Sequence, residues 1–446
     1  KEIGNKVIAG SLNYDGFIKY KAEKIGKDST VSEIVKLVIE ASNTKAPIAK
    51  IADKISGYFV PAVIIIAIIT FTMYLILGYG MPEAINAFVT VLVVACPCSL
   101  GLATPLAIVI SEGKCASNGI LVKKSEVLEN ASKIDTIVFD KTGTLTYGKL
   151  KISKIYNYSN LEEKELIQLI GSIEAKSTHP IGKAFTDYMK EKNISELGVK
   201  NIENIAGYGL SGEIAQEKLT LGNRKLIEKL NIENNYINDE TKLAEQGNSI
   251  VYVSKSNKII ALIGVNDIVR ENAQEVIKNM NKNNIKTIML TGDNEETANK
   301  IGKELGITKV ISNVLPAQKA DMVKQLKTDG NNVMMCGDGI NDSPALTNAD
   351  IGVSVKSGTD IAMDSADVIL TKNDLNSILT LINISEKTVK NIKQNLFWAF
   401  FYNILMIPVA IGILRPIGIT LNPMIASLAM VFSSLTVILN ALRLKQ

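Results

Sequence analysis

Asp140 heads the run Lys141, Thr142, Gly143, Thr144, Leu145 and Thr146, a carboxylate followed by hydroxyls and a glycine. With a reference pKa of ~3.9, an aspartate is ionised at neutral pH and attacks a phosphorus atom without help from a base. The hydroxyl of Thr142 and the closely spaced backbone N–H groups through Thr144 suit phosphate oxygens. Farther along, Thr291, Gly292 and Asp293 add a further hydroxyl, and Lys319 brings a fixed positive charge. Asp338 and Asp342, in Gly337-Asp-Gly-Ile-Asn-Asp342, supply two carboxylates. With Asp140 and Thr142 they make an oxygen set suited to a hard Mg²⁺ ion. Positioning and charge neutralisation are what phosphoryl transfer asks of a protein. Any one piece also reads as an ordinary turn after a strand, but four in this order leave that reading little room.

A second chemistry sits in Cys96-Pro97-Cys98, inside an apolar run. On an intact helix, residues two apart point to nearly opposite faces and share no ligand. Pro97 removes a backbone hydrogen bond and clashes with the preceding turn, so the helix must distort and can bring both sulfurs towards one point. Thiolates favour Cu(I), Ag(I) or Zn²⁺ over Mg²⁺ or Ca²⁺. The competing reading is two small buried cysteines beside a chance kink. Four cysteines in all, irregularly spaced, are too few for a disulfide framework.

The elements that position these groups fall into two kinds. Four uncharged apolar runs, 58–79, 84–110, 396–414 and 417–442, each reach the ~20 residues a helix needs to cross a bilayer core. They form two tight hairpins around a long polar insert. Lys50, Lys54, Lys114, Lys123, Lys124, Lys387, Lys390, Lys393, Arg443 and Lys445 flank the ends facing the insert and the termini, whereas the hairpin loops carry only Arg415. By the positive-inside rule the insert and both termini are cytoplasmic. A hydrophobic fraction of 46% beside 21% charged residues fits soluble domains joined to membrane segments. The net charge of +4 is no argument for nucleic-acid binding. In the insert, β-branched runs at 133–139, 286–290 and 333–336 end at Asp140, Thr291 and Gly337, with helical stretches at 272–283 and 295–305 between them. Strand, functional loop and helix in repetition predict a parallel doubly wound sheet with its site at the carboxyl ends. Residues 148–257 interrupt that pattern and read as an inserted second domain.

These motifs resemble those of the P-type ATPases. Residues 140–146 match their phosphorylation motif, and 291–293 and 337–342 match the companion motifs of their haloacid-dehalogenase-like domain. The resemblance implies an aspartyl-phosphate on Asp140 with ATP as donor, Lys141, Thr142, Thr291 and Lys319 at the catalytic centre, and Mg²⁺ on Asp140, Thr142, Asp338 and Asp342. His179 is the only histidine, in Ser177-Thr-His-Pro180, five residues after Glu174. A lone histidine is more often structural, but this one resembles the Ser-Glu-His-Pro element of the heavy-metal branch, with Thr178 in place of the usual glutamate. There the matching histidine and glutamate help bind the adenine end of ATP. The run Ala206-Gly-Tyr-Gly-Leu-Ser-Gly212 contains a literal Gly-x-Gly-x-x-Gly. A dinucleotide fingerprint needs a strand before it and a helix after it. Residues 213–220 read as a strand, which rejects that role. Gly207 and Gly209 resemble instead the Gly-x-Gly of the family's nucleotide domain, with Asn223 in the same pocket and Gly292 and Asp293 completing the nucleotide contacts.

Cys96-Pro97-Cys98 resembles the signature of heavy-metal P-type ATPases, shared by copper and zinc branches. Tyr402, Asn403, Met430 and Ser433 resemble the copper branch, whereas the zinc, cadmium and lead branch brings a lysine and an aspartate into the last two spans, and neither is present. Asp53 resembles a metal-entry carboxylate, although a solvated charge at a helix end is as good a reading. The resemblance therefore implies ATP-driven Cu(I) or Ag(I) export from a bacterial cytoplasm through the plasma membrane. It implies a monomer in a lipid bilayer, with a copper-donor chaperone or small thiol as partner and ATP and Mg²⁺ as cofactors. The expected architecture is a multidomain membrane protein: transmembrane α-helices, a cytoplasmic α/β Rossmann-type phosphorylation domain, and an inserted α+β nucleotide-binding domain. Its parts are an actuator fragment (1–46), a hairpin with the cysteines (47–114), the phosphorylation domain (115–147 and 258–378), the nucleotide-binding domain (148–257) and a second hairpin (379–446). No Thr-Gly-Glu occurs, the actuator motif that directs water onto the aspartyl-phosphate in the family. The expectation is of a piece of a longer protein that takes up phosphate without completing turnover. A membrane-tethered phosphatase explains the carboxylates but not the thiols, and a metal sensor the reverse.

Overall fold

A computed structural model describes residues 19, 21 and 46–445, apart from 96–97, 178–179, 206–207, 294, 339–341, 356–364 and 373. Nearly all of the expected actuator fragment therefore lies outside the described residues. The chain divides into two compact units, residues 1–134 with 367–446, and residues 135–366.

In the first unit, α1 (Pro47–Ile76) opens on a proline, whose missing N–H is no loss in a first turn. From Tyr58 onward it carries no charge, and Ile64, Ile65, Ile68 and Ile69 stay exposed. A long helix that is apolar all round belongs in a membrane. The run expected as one span at 84–110 is three helices: α2 (Met81–Val94), α3 (Cys98–Ala103) and α4 (Pro105–Ser117). The first of these helices is capped at its end by Ala95, at φ −83° and ψ 4°, two residues before Pro97. The second break falls at Thr104 and Pro105, where the proline removes an amide donor. After α4 comes the short strand β1 (Ile120–Val122).

The second unit holds two sheets. β2 (Thr136–Asp140) leads into the motif loop, and β3 (Thr146–Asn157) leaves it. Then follow α5 (Glu163–Glu174), α6 (Pro180–Glu191), β4 (Lys200–Ile205), β5 (Gly209–Ile214), β6 (Glu217–Gly222), α7 (Arg224–Lys229), α8 (Ile237–Glu245), β7 (Ser249–Lys255) and β8 (Lys258–Val269). These six strands make an antiparallel sheet in the order β3-β8-β7-β6-β5-β4. β8, expected in the phosphorylation domain from residue 258 onward, instead pairs with β3 and β7 along its length. The strand expected over 213–220 is two strands, joined through Ala215 and Gln216 at φ 51° and 67°, the positive angles of a tight hairpin turn. Ile167, Ile170, Ile173 and Phe185 of α5 and α6 close one core of this sheet; Ile227, Leu243, Tyr252 and Leu262 form another.

The chain then runs through α9 (Ala273–Lys282), β9 (Lys286–Leu290), α10 (Glu295–Leu305), β10 (Lys309–Ile311), α11 (Pro316–Thr328), β11 (Val333–Gly337), α12 (Ser343–Asn348) and β12 (Ile351–Val355). β12, β11, β2, β9 and β10 lie side by side in that order, all parallel. β2 is central and buried throughout, with Asp140 level with Leu290 of β9. The parallel register brings Asp140, Thr291 and Asp338 to one carboxyl edge, as the sequence pattern predicts.

Back in the first unit, β13 (Val368–Leu370) pairs antiparallel with β1. α13 (Asn376–Ile411) begins well before the expected span at 396, and α14 (Pro423–Leu442) closes the unit. Four helical stretches of the described chain are long and apolar enough to cross a membrane. Asn395 of α13 is buried and donates to the carbonyl of Ala103 at 3.1 Å and to Asn391 at 3.1 Å, while Asn440 of α14 donates to Asn395 at 2.8 Å. Asn395 thus meets a carbonyl at the end of α3 that the second break would leave bare in hydrocarbon. Asn395→Leu should lower stability in detergent by about 1–2 kcal/mol, read as an earlier denaturation midpoint.

Candidate functional site

At the carboxyl edge of the parallel sheet, Asp140 ends β2 and is 6% exposed. Lys319, on α11, sends its ammonium to Asp140 Oδ1 at 2.5 Å and to Asp342 Oδ1 at 2.7 Å. Asp338 completes a group of three carboxylates whose oxygens lie within 4.8 Å of one another. Lys319 thus pairs with two of the three carboxyls, and the third, Asp338, feels the charges of Lys319 and Arg270. Burial, and next the charge of Asp342, push Asp140 up to about 6 in spite of Lys319. Burial, then Asp140 and Asp342, push Asp338 up to about 7. Burial pulls Lys319 down, but the two aspartates outweigh it and hold the ammonium above its ordinary pKa. The cluster is short of positive charge, and its donors are hard oxygens, which fits a Mg²⁺ ion.

The loop after Asp140 is fixed from several sides. Lys141 pairs with Asp293 at 2.6 Å, so the Thr-Gly-Asp turn after β9 is tied to the motif. Thr291 is buried, and its hydroxyl accepts from the Asp293 N–H at 3.2 Å. Thr142 and Gly292 face solvent, open to an incoming group. Gly143 has φ +74°, and a Cβ there would run into the Asp338 carboxylate. Glycine is needed at this point twice over, for its backbone and for its missing side chain.

One residue was not anticipated. Arg270, just past β8, is 1% exposed and donates to the carbonyls of Thr144 and Gly143, each at 2.6 Å. On the same strand Asp267 accepts from Thr146 Oγ1 at 2.5 Å, and Thr146 in turn accepts from the Gly143 N–H at 3.0 Å. A charged pair three apart at the end of an otherwise apolar strand was the available sequence signal.

In the six-stranded sheet region, Glu174 at the end of α5 is 3% exposed, and its Oε2 has no hydrogen-bond partner. Burial pushes it up to about 7. Gly182 lies against it, where any Cβ would meet the Glu174 carbonyl oxygen at 2.5 Å, so this glycine sets how closely α6 approaches. His179 and Gly207 lie outside the described residues. Gly209 starts β5 opposite Gly222, and a Cβ would strike the carbonyl of Leu221, so strand packing alone accounts for it. Asn223 caps α7 by accepting from the Leu226 N–H at 3.1 Å, a structural role.

In the membrane unit, Cys96 and the side chain of Cys98 lie outside the described residues. Asn403 is 2% exposed with Oδ1 unpartnered; Tyr402 and Met430 are half-buried. Ser433 is buried and donates to Ser99, the neighbour of Cys98, at 3.1 Å. Asp53 is exposed near the start of α1.

Residues 134–350 match the model of the haloacid dehalogenase-like hydrolases. The copper-exporting P-type ATPase of Staphylococcus haemolyticus is 43% identical over the whole chain, which covers 55% of that relative. The chain thus spans about half the length of the curated relatives it matches. A zinc-transporting PIB-type ATPase solved in the E2.Pi state is 29% identical, with a TM-score of 0.78 over 94% of this chain and 68% of that one. The catalytic domain of the CPx-ATPase CopB-B is 32% identical, with a TM-score of 0.51 over 60% of this chain and 98% of that domain.

The raised pKa of Glu174 carries a pH signature. Its folded value of about 7 exceeds its ordinary 4.5, so its contribution to stability is complete below 4.5 and is lost as pH rises through 7. Glu174→Gln should therefore raise the unfolding midpoint of the nucleotide sheet at pH 8, by an amount of order 2–3 kcal/mol, and leave it nearly unchanged at pH 4. Hydrogen exchange in β5 and β7 at the two pH values checks this.

Proposed function

The chain belongs to the P-type ATPase family, and from that premise we propose that it is the catalytic core and part of the transport core of a pump exporting Cu(I), or Ag(I), at the expense of ATP. The observation that carries the catalytic half is the Lys319 ammonium shared by Asp140 and Asp342 at the carboxyl edge of the sheet. Asp140 Oδ would attack the γ-phosphorus of ATP, forming the acyl-phosphate bond as the bond to the ADP oxygen breaks. Lys319 offsets the charge on Asp140 and the incoming phosphate, while Thr142 and Thr291 donate to its oxygens. Asp140, Asp338, Asp342 and Thr142 would hold Mg²⁺, which supplies charge neutralisation at the phosphate. Glu174, with an unpartnered buried carboxyl oxygen, serves the nucleotide, with His179, Gly207 and Gly292 as further contacts.

For the cargo, the support is chemical. Cys96 and Cys98 flank the break between α2 and α3, the four spans carry no charge, and Asn403 leaves a buried oxygen without a partner. Thiolates with the Met430 thioether can replace water around a soft monovalent ion, whereas Zn²⁺ would keep uncompensated charge at bilayer depth. Likeness to a zinc transporter keeps the divalent reading as the alternative. Tyr402 and Ser433 complete the cargo path, Asp53 stands at its entry, and a copper chaperone or small thiol delivers the ion to the monomer.

Radiolabelled ATP with Mg²⁺ should give an acid-stable, hydroxylamine-labile adduct that Asp140→Asn abolishes; labelling that survives this change would refute the assignment. Arg270→Met keeps the bulk but removes both donors to the loop, and should cut the adduct at least about tenfold, the loss of one charge-assisted hydrogen bond or more, while ATP affinity by calorimetry stays close to wild type.

In the full-length parent, Cu(I) and Ag(I) should stimulate phosphorylation where Zn²⁺ does not, and Cys96→Ser or Cys98→Ser should remove the stimulation. Stimulation by Zn²⁺ alone would overturn the copper reading and leave the ATPase reading standing.

A further inference from the structure

The exposed face of α13 changes character in order along its length. Glu386 and Lys387 are exposed near its start, then Lys390 and Lys393, then Phe397, Trp398 and Phe401, then Ile404 and Leu405. These positions recur at three- and four-residue spacing, so they form one stripe. From Lys393 to Trp398 the helix rises ~7.5 Å at 1.5 Å per residue, about the depth of one polar layer of a bilayer. Lysine therefore falls at headgroup level when Trp398 lies at the edge of the hydrocarbon, where indole rings settle. The stripe fixes where the membrane surface crosses α13.

At that level the surface is hollow. Glu386, Lys390, Lys393, Gln394, Phe397 and Trp398 line an open groove of about 530 Å³, with the Ser132 hydroxyl on its far side. Among the described residues neither Lys390 nor Lys393 takes part in a salt bridge, in contrast to Lys124 and Lys133 of the same unit, which do. Two ammonium groups without a salt bridge among the described residues and a carboxamide are donors for phosphate oxygens, and the aromatic floor continues directly into the acyl-chain face. Glu386 is the one opposing charge, at the end farthest from the rings.

We propose that this groove seats the phosphodiester headgroup of an anionic phospholipid, with its glycerol over Trp398 and its chains along Phe401 and Leu405. Lys390 and Lys393 supply the selectivity for a net negative headgroup, since a zwitterionic lipid carries its own ammonium into the groove.

Trp398 is the only tryptophan of the chain and so reports from the site itself. The chain is placed in vesicles of phosphatidylcholine with a minor fraction of phosphatidylglycerol, one lipid or the other brominated. Brominated phosphatidylglycerol should quench Trp398 as though enriched roughly tenfold over its mole fraction, the order that two lysines at a charged surface provide. The double variant Lys390→Gln, Lys393→Gln should bring the two lipids level, Glu386→Gln should raise the preference, and Lys54→Gln on α1 should leave it alone. Equal quenching by both lipids in the unaltered chain would overturn the proposal. Displacement of the brominated lipid by inorganic phosphate or glycerol phosphate would also overturn it, by making the groove a site for a soluble anion. None of these readouts involves ATP or copper, so failure here leaves the pump reading untouched, and the reverse holds as well.

Discussion

The organisation of the second unit turns on three carboxyls that converge at Asp140, Asp338 and Asp342, with one buried ammonium paired to two of them and the Arg270 charge acting on the third. Buried charges are costly unless paired and hydrogen-bonded, and here the pairing is incomplete. Left alone, such a cluster takes up protons, which is the direction in which Asp140 and Asp338 have moved. A divalent cation would offset it. The parallel strands, α11 and the glycine loop are the parts that hold the carboxylates together against their repulsion.

The same loop is where the six-stranded sheet leaves and rejoins the parallel one. β3 departs from Thr146, β8 returns at Val269, and these two residues pair with each other. Asp267 and Arg270 hold the return strand to the loop through Thr146, Thr144 and Gly143. The return strand thus holds the backbone on either side of Gly143, against which the Asp338 carboxylate lies. The six-stranded sheet and the loop after Asp140 are joined by hydrogen bonds to carbonyls.

Sequence reasoning reached the parallel sheet because strand, loop and helix repeat with a period that few other folds produce, and it placed Asp140, Thr291 and Asp338 at one edge because parallel strands carry their sites there. It misplaced β8 because an apolar strand of that composition fits either sheet, and only pairing partners decide. It read residues 213–220 as one strand because Ala215 and Gln216 carry no turn signature, although both take positive φ. Arg270 escaped notice since its importance lies in two backbone carbonyls distant in sequence, which have no side-chain signature at all. Gly209 and Asn223, drawn into the nucleotide site by resemblance, have sufficient reasons in strand packing and in a helix cap.

In the membrane unit the governing constraint is the backbone. A proline between two cysteines and another at Pro105 interrupt the helix twice within eleven residues of α3 and its flanks, from Ala95 to Pro105. Each interruption frees carbonyls that hydrocarbon cannot satisfy. At the second break the answer is Asn395, held in turn by Asn391 and Asn440, so the broken segment is clamped by amides from α13 and α14. Ser433 bonds to Ser99 on the same short helix. The polar side chains of α13 and α14 therefore divide between two duties: Asn391, Asn395, Asn440 and Ser433 satisfy the broken segment, while Asn403 alone among the buried asparagines of these helices keeps an unpartnered side-chain oxygen.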